Sequence, residues 1–92
     1  MPVTPLPELI LYGRPGCHLC DDAREAAVRI IAARAADGLG TPTLVERNIE
    51  TDPAWQLAYF ETIPVLELGD RRLDLATSAA RIQRLLSDVL DA

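Results

Sequence analysis

Glu8-Leu9-Ile10-Leu11-Tyr12-Gly13-Arg14-Pro15-Gly16-Cys17-His18-Leu19-Cys20 runs from an apolar segment, through a turn, to a pair of cysteines at the head of a helix. Glu8 to Tyr12 is short, apolar and rich in strand formers, which predicts the first strand, in a central position. Gly13-Arg14-Pro15-Gly16 is turn chemistry, two glycines flanking a proline. From about Leu19 to Ala36 the chain is dense in alanine and arginine, with no interior glycine or proline. Ala27, Ile30, Ile31 and Arg34 fall there at helical spacings with the aliphatic members on one side, which predicts a long helix. The arginines along it, Arg24, Arg29 and Arg34, read as surface charges. Gly38 and Gly40 with Pro42 stop it.

Downstream, Thr43 to Ile49 reads as a second strand, and two strands separated by a helix predict a parallel βαβ unit. Asp52-Pro53 is an N-cap followed by proline at the first helical position. The short helix it opens carries Trp55, Ala58 and Tyr59, ends near Phe60, and packs its aromatics on the sheet. Ile63 to Leu68 is a third strand with Pro64 at its start. Gly69-Asp70 is a hairpin turn, and Arg71-Arg72-Leu73 opens a fourth strand antiparallel to the third. Arg71 and Arg72 read as a solvated edge. From about Thr77 to Leu90, the spacing of Ile82, Leu85, Leu86, Val89 and Leu90 predicts a last amphipathic helix, capped by Thr77 or Ser78. The order is β-α-β-α-β-β-α: an α/β fold with one four-stranded mixed sheet and helices on both faces.

The 92 residues suit a single domain spanning 1–92, with residues 1–7 as an extended lead-in whose prolines exclude helix. Hydrophobic residues make up 49% and charged residues 25%, as in an ordinary globule. A net charge of −5 repels phosphate backbones, so nucleic acid is not an expected partner. No apolar run is long enough to cross a bilayer, and no secretory signal precedes the first strand, so the expectation is a cytoplasmic monomer with no membrane partner.

The chain has two cysteines, Cys17 and Cys20. A bridge over so short a loop is a poor staple, and the cytoplasm disfavours structural disulfides. Redox chemistry or metal binding explains C-x-x-C better. Cys17 directly follows the turn where the helix begins, and unpaired N–H groups with a partial positive charge favour thiolate there. That makes Cys17 the expected nucleophile. Cys20, one helical turn on, is the expected resolving thiol. Arg14 adds positive charge near the same sulfur, and a cationic His18 would stabilise the thiolate. Asp21 and Asp22 are solvated first-turn acids with no catalytic role. Tetrahedral zinc wants four ligands; this chain offers two thiols and His18, so no metal is assigned to it alone. Metal or an iron–sulfur cluster held by Cys17 of two chains remains an alternative, as does a non-catalytic adaptor with vestigial cysteines.

Tyr12-Gly13-Arg14-Pro15-Gly16-Cys17-His18-Leu19-Cys20, followed by a helix and later by Thr62-Ile63-Pro64-Val65, resembles the glutaredoxins of the thioredoxin-fold superfamily, and especially the bacterial glutaredoxin-like proteins with C-x-L-C. The resemblance implies thiol–disulfide exchange with no bound cofactor. It matches Tyr12 and Arg14 to the Tyr and Lys before the cysteines, and Cys17 and Cys20 to the nucleophilic and resolving pair. Thr62 and Pro64 match the loop whose proline is cis in that family, where the backbone of Ile63 would be open for pairing with a disulfide-bearing peptide. Implied substrates are a disulfide-containing protein or a low-molecular-weight thiol, glutathione among them as co-substrate. The chain departs from the pattern in two places. Leu73-Asp74-Leu75-Ala76-Thr77 lacks the glycine pair that holds glutathione, leaving Asp74 or Thr77 to meet a ligand. Ile10 and Leu11 stand near where thioredoxins keep a buried acid.

Overall fold

The computed structural model describes residues 6–91. Most of the lead-in, residues 1–5, lies outside the described residues. Leu6 and Pro7 precede the first strand without regular structure. The order is β1 (Leu9–Gly13), α1 (His18–Ala36), β2 (Leu44–Asn48), a 3-10 turn (Ile49–Thr51), α2 (Pro53–Tyr59), β3 (Val65–Leu68), β4 (Arg71–Leu73) and α3 (Ala79–Leu90). This is the expected β-α-β-α-β-β-α pattern, with the 3-10 turn added.

The sheet order is β2-β1-β3-β4. β1 is central: it runs parallel to β2, with Leu9 opposite Leu44 and Gly13 opposite Asn48, and antiparallel to β3, with Tyr12 opposite Val65. β3 and β4 form the hairpin across Gly69-Asp70. Alternation along β1 divides the core. Leu9 and Leu11 join Leu66 and Leu68 of β3 under Ala23, Ala26 and Ala27 of α1 and Ile82, Leu85 and Leu86 of α3. Tyr12 faces the other way, into a smaller cluster with Ile49 and Val65, flanked by Trp55 and Tyr59 of α2. Alanines on α1 let that helix approach the sheet closely. Larger aliphatics on α3 fill the rest of the layer.

Of the boundaries that differ from the sequence reading, three have a hydrogen-bonding reason. β2 ends at Asn48, because the Asn48 side chain caps the 3-10 turn through the N–H of Glu50 (2.9 Å). β3 begins at Val65 rather than Ile63. Pro64 has no N–H to donate, the Ile63 N–H goes to the Tyr59 carbonyl (3.1 Å), and the Pro64 carbonyl accepts from Ala76 (2.8 Å). α3 begins at Ala79, with Ser78 as the N-cap. The Asp52–Pro53 start of α2 is as expected, with the Asp52 carboxylate accepting from the Ala54 N–H.

At its far end α1 stops in a Schellman arrangement. The Leu39 N–H reaches the Arg34 carbonyl (2.9 Å), the Gly38 N–H reaches that of Ala35 (3.1 Å), and Gly38 takes φ 72°, a conformation natural to glycine. Arg34 corrects the reading of α1's arginines as surface charges. It is 5% exposed. Its guanidinium holds Asp91 by two hydrogen bonds (3.0 and 2.5 Å) and the Gly40 carbonyl by a third (2.8 Å). The planar fork satisfies three acceptors at once, which is what makes burial of the charge tolerable. One side chain thereby joins the end of α1, the loop after it and the end of α3.

These hydrogen bonds hold the Asp91 carboxyl below its ordinary value. A lowered folded-state pKa contributes stability that is complete above the unfolded value, about 4, and is lost as pH falls through the folded one. Arg34→Met is expected to cost about 2 kcal/mol at neutral pH. The stability gap between wild type and Asp91→Asn should be full above about pH 4 and close as acid protonates Asp91, measured by urea unfolding at stepped pH.

Candidate functional site

Cys17 and Cys20 are joined by a disulfide at the start of α1. Cys17 is the helix N-cap, in extended backbone, and its Sγ accepts the N–H of Cys20 at 3.1 Å. A sulfur in this position takes the role usually filled by a Ser or Asp oxygen, and it is partly exposed. Cys20 is 5% exposed and faces β1. Close approach there depends on Gly13, since a Cβ at that position would lie 3.1 Å from both Cβ and Sγ of Cys20. His18 and Leu19, between the cysteines, are both exposed.

A crevice of about 340 Å³ opens at the carboxyl ends of β1 and β2, where the chain leaves β1 for α1 on one face and β2 for α2 on the other. Its lining includes Gly13, Arg14, Cys20, Arg24, Arg47 and Asn48. Such switch points are where open α/β sheets hold ligands. Arg24 is occupied, bridging Asp21 (2.5 Å) and Glu46 (2.8 Å). Arg14 is exposed and has no carboxylate partner among the described residues.

Tyr12 is on the opposite side of β1 from the cysteines. It is 4% exposed, stacks on Tyr59 with ring centres 4.1 Å apart, meets Trp55 edge-on at 5.9 Å, and accepts a hydrogen bond from Arg47 (3.0 Å). Trp55 and Tyr59 therefore pack on the sheet, as their sequence context indicated. The Tyr59 hydroxyl donates to Glu67 (2.9 Å).

Thr62, Ile63 and Pro64 precede β3, and Val65 lies opposite Tyr12, so this loop sits at the end of the sheet where β1 passes to the cysteines. The Ile63–Pro64 peptide bond is cis. The loop is stitched to the segment after β4. Leu75 donates to the Thr62 carbonyl (2.9 Å), and the Arg72 guanidinium reaches the Thr62 hydroxyl (3.5 Å) and Asp74 (2.5 Å) while lying 4.9 Å from the Tyr59 ring centre. Asp74 is thus held by Arg72, and Leu75 stands half-exposed at φ 48°. The N–H of Ile63 is engaged by Tyr59, so the open backbone anticipated there is reduced to its carbonyl.

Sequence reasoning missed Arg47, Glu46 and Leu75. The first two were readable from the parallel pairing once the register was fixed, since Arg47 stands opposite Tyr12. Leu75 carries no signal, because a left-handed turn is announced by glycine or asparagine.

Residues 8–90 match the family described as a glutaredoxin-like domain (DUF836), and the chain belongs to it. Among solved structures, the X-ray structure of target protein XcR50 from X. campestris is similar at 33% identity and TM-score 0.70, covering 87% of this chain and 96% of that one. The solution NMR structure of protein Ne2328 from Nitrosomonas europaea shares the fold at 24% identity and TM-score 0.63, covering 99% and 94%. A search of curated proteins returns no match. Among the described residues no helix is long and apolar enough to cross a membrane.

Burial raises the Tyr59 hydroxyl above the ordinary tyrosine value, and the hydrogen bond to Glu67 adds to this. A raised value means that the neutral phenol's contribution is complete below about pH 10 and lost as pH climbs through the folded-state value. Followed by phenolate absorbance, part of the wild-type signal should arrive well above pH 10, and Tyr59→Phe should lack that part.

Proposed function

We propose that this chain is a thiol–disulfide oxidoreductase using dithiol exchange, with Cys17 as nucleophile and Cys20 as resolving thiol. The observation that carries the reading is the unequal placement of two bonded sulfurs: Cys17 caps a helix and meets solvent, and Cys20 is buried behind it.

In the reduced protein the Cys17 thiolate is stabilised by the N–H of Cys20 and by the positive end of α1. It attacks one sulfur of a substrate disulfide, forming a mixed disulfide and expelling the other sulfur as thiolate, which takes a proton from water. Cys20 then loses its proton and attacks the Cys17 sulfur, releasing the second thiolate. The substrate gains two electrons and the protein is left as the disulfide. Two equivalents of a small thiol reverse the process and reset the pair.

Arg14 supplies positive charge near the attacking sulfur, and His18, exposed between the cysteines, is placed to do so in its cationic form. Tyr12 acts at one remove, filling the far face beneath the end of β1. Thr62, Ile63 and Pro64 form the substrate-facing loop, with the Ile63 carbonyl, which accepts no hydrogen bond among the described residues, as its acceptor. The substrate is a disulfide-bearing protein or small disulfide, with a low-molecular-weight thiol such as glutathione as co-substrate. The crevice beside Arg14 supports the small-thiol role, since its volume is at the lower end of the roughly 300–1,000 Å³ of ligand pockets. The protein works as a cytoplasmic monomer.

Equilibration in thiol–disulfide buffers, with alkylated cysteines counted by mass, should show a reversible two-electron transition between about −270 and −180 mV. Cys17→Ser should abolish exchange, and Cys20→Ser should accumulate a mixed disulfide. Exchange that survives Cys17→Ser would overturn the assignment. Failure of the wild type to form the disulfide would favour the metal-bridged dimer or the adaptor.

A further inference from the structure

We propose that Gly13 is a positioning residue for the redox pair: its missing side chain is the seat of Cys20, and that space sets how readily the disulfide closes. The inference rests on the dithiol reading above and adds a residue to it.

Space, rather than backbone conformation, requires glycine here. Gly13 is the last residue of an ordinary strand, paired with Asn48 of β2, whereas Gly16, Gly38 and Gly69 take positive φ. A methyl group at position 13 would stand 3.1 Å from both Cβ and Sγ of Cys20. Comfortable carbon contacts are about 3.5–4.0 Å, so something has to give. β1 cannot retreat, because Gly13 is paired with Asn48 of β2 and its neighbour Tyr12 is paired with Val65 of β3 and buried in the core of the opposite face. α1 cannot withdraw without lifting Ala23 and Ala27, 2% and 0% exposed, from the main core. The contact at the Cys20 Cβ is taken up by small backbone shifts whatever the redox state, since rotation about χ1 does not move that atom; the contact at Sγ is left to the Cys20 side chain.

Its freedom to do so differs between redox states. In the dithiol, Cys20 can change its χ1 rotamer and swing the sulfur aside. In the disulfide the sulfur is tethered to Cys17 and has no such escape. An added methyl therefore penalises the oxidised state more than the reduced one. Gly13→Ala should make the pair a stronger oxidant.

The test compares wild type, Gly13→Ala and Gly38→Ala in the same thiol–disulfide buffers, with thermal melts of each oxidised and reduced form. A methyl at Gly38 meets nothing within 4 Å but strains a backbone at φ 72°, so this variant loses stability far from the cysteines. Gly13→Ala is expected to shift the equilibrium about tenfold toward dithiol, about 30 mV more positive, and to melt lower in both forms, with the larger loss when oxidised. Gly38→Ala should melt lower in both forms at the wild-type potential. A Gly13→Ala protein that folds only when reduced supports the proposal. One that folds in neither state, or one at the wild-type potential, overturns it, as does an equal shift from Gly38→Ala. Wild type that forms the disulfide and exchanges while Gly13→Ala behaves identically sinks this inference alone. Wild type that never forms the disulfide sinks the dithiol reading with it.

Discussion

The site depends on β1 being paired along both edges and covered on both faces. That constraint fixes where Gly13 ends, and so where the chain must turn to bring Cys17 onto the head of α1. Leu9 and Leu11 commit one face to α1 and α3, and Tyr12 commits the other to α2. A shift of one residue in register would exchange these sets and send the leucines into the space filled by the aromatic stack. The position of the sulfurs is in this sense a by-product of core packing.

Two devices hold the frame. Near the cysteines, hydrogen bonds tie the Thr62–Pro64 loop to Leu75 and Ala76, and Arg72 spans Asp74, Thr62 and the Tyr59 ring. At the other end of α1, Arg34 clamps Asp91 and the Gly40 carbonyl. The first shapes the surface beside the cysteine pair. The second keeps a long, alanine-rich helix, with little bulk of its own to grip the sheet, against α3.

Much of this was legible in the sequence, because its signals are local. Alternation and β-forming residues marked the strands, Asp52-Pro53 marked the start of α2, Gly69-Asp70 marked the hairpin, and the spacing from Ile82 to Leu90 marked the packed face of α3. The cysteine pair announced itself by following a strand and a turn. What escaped was long-range. Arg34 looks like any helix arginine until Asp91, far along the chain, is brought beside it. Arg47 becomes part of the site through parallel register with Tyr12. Gly13 reads as turn chemistry, although it is the last residue of β1 and its real constraint is a neighbour on another element. Ile63 looked open until its N–H was found on Tyr59.

His18 and Leu19 lie between the two sulfurs, yet both side chains project away from the core. The dipeptide that most directly flanks the reacting atoms therefore carries no packing duty. Natural drift or deliberate engineering can rewrite it without paying in foldability, whereas the positions behind Cys20 are locked to the scaffold. The site is modular: an outer segment that the core leaves free, mounted on an inner wall that the core holds in place.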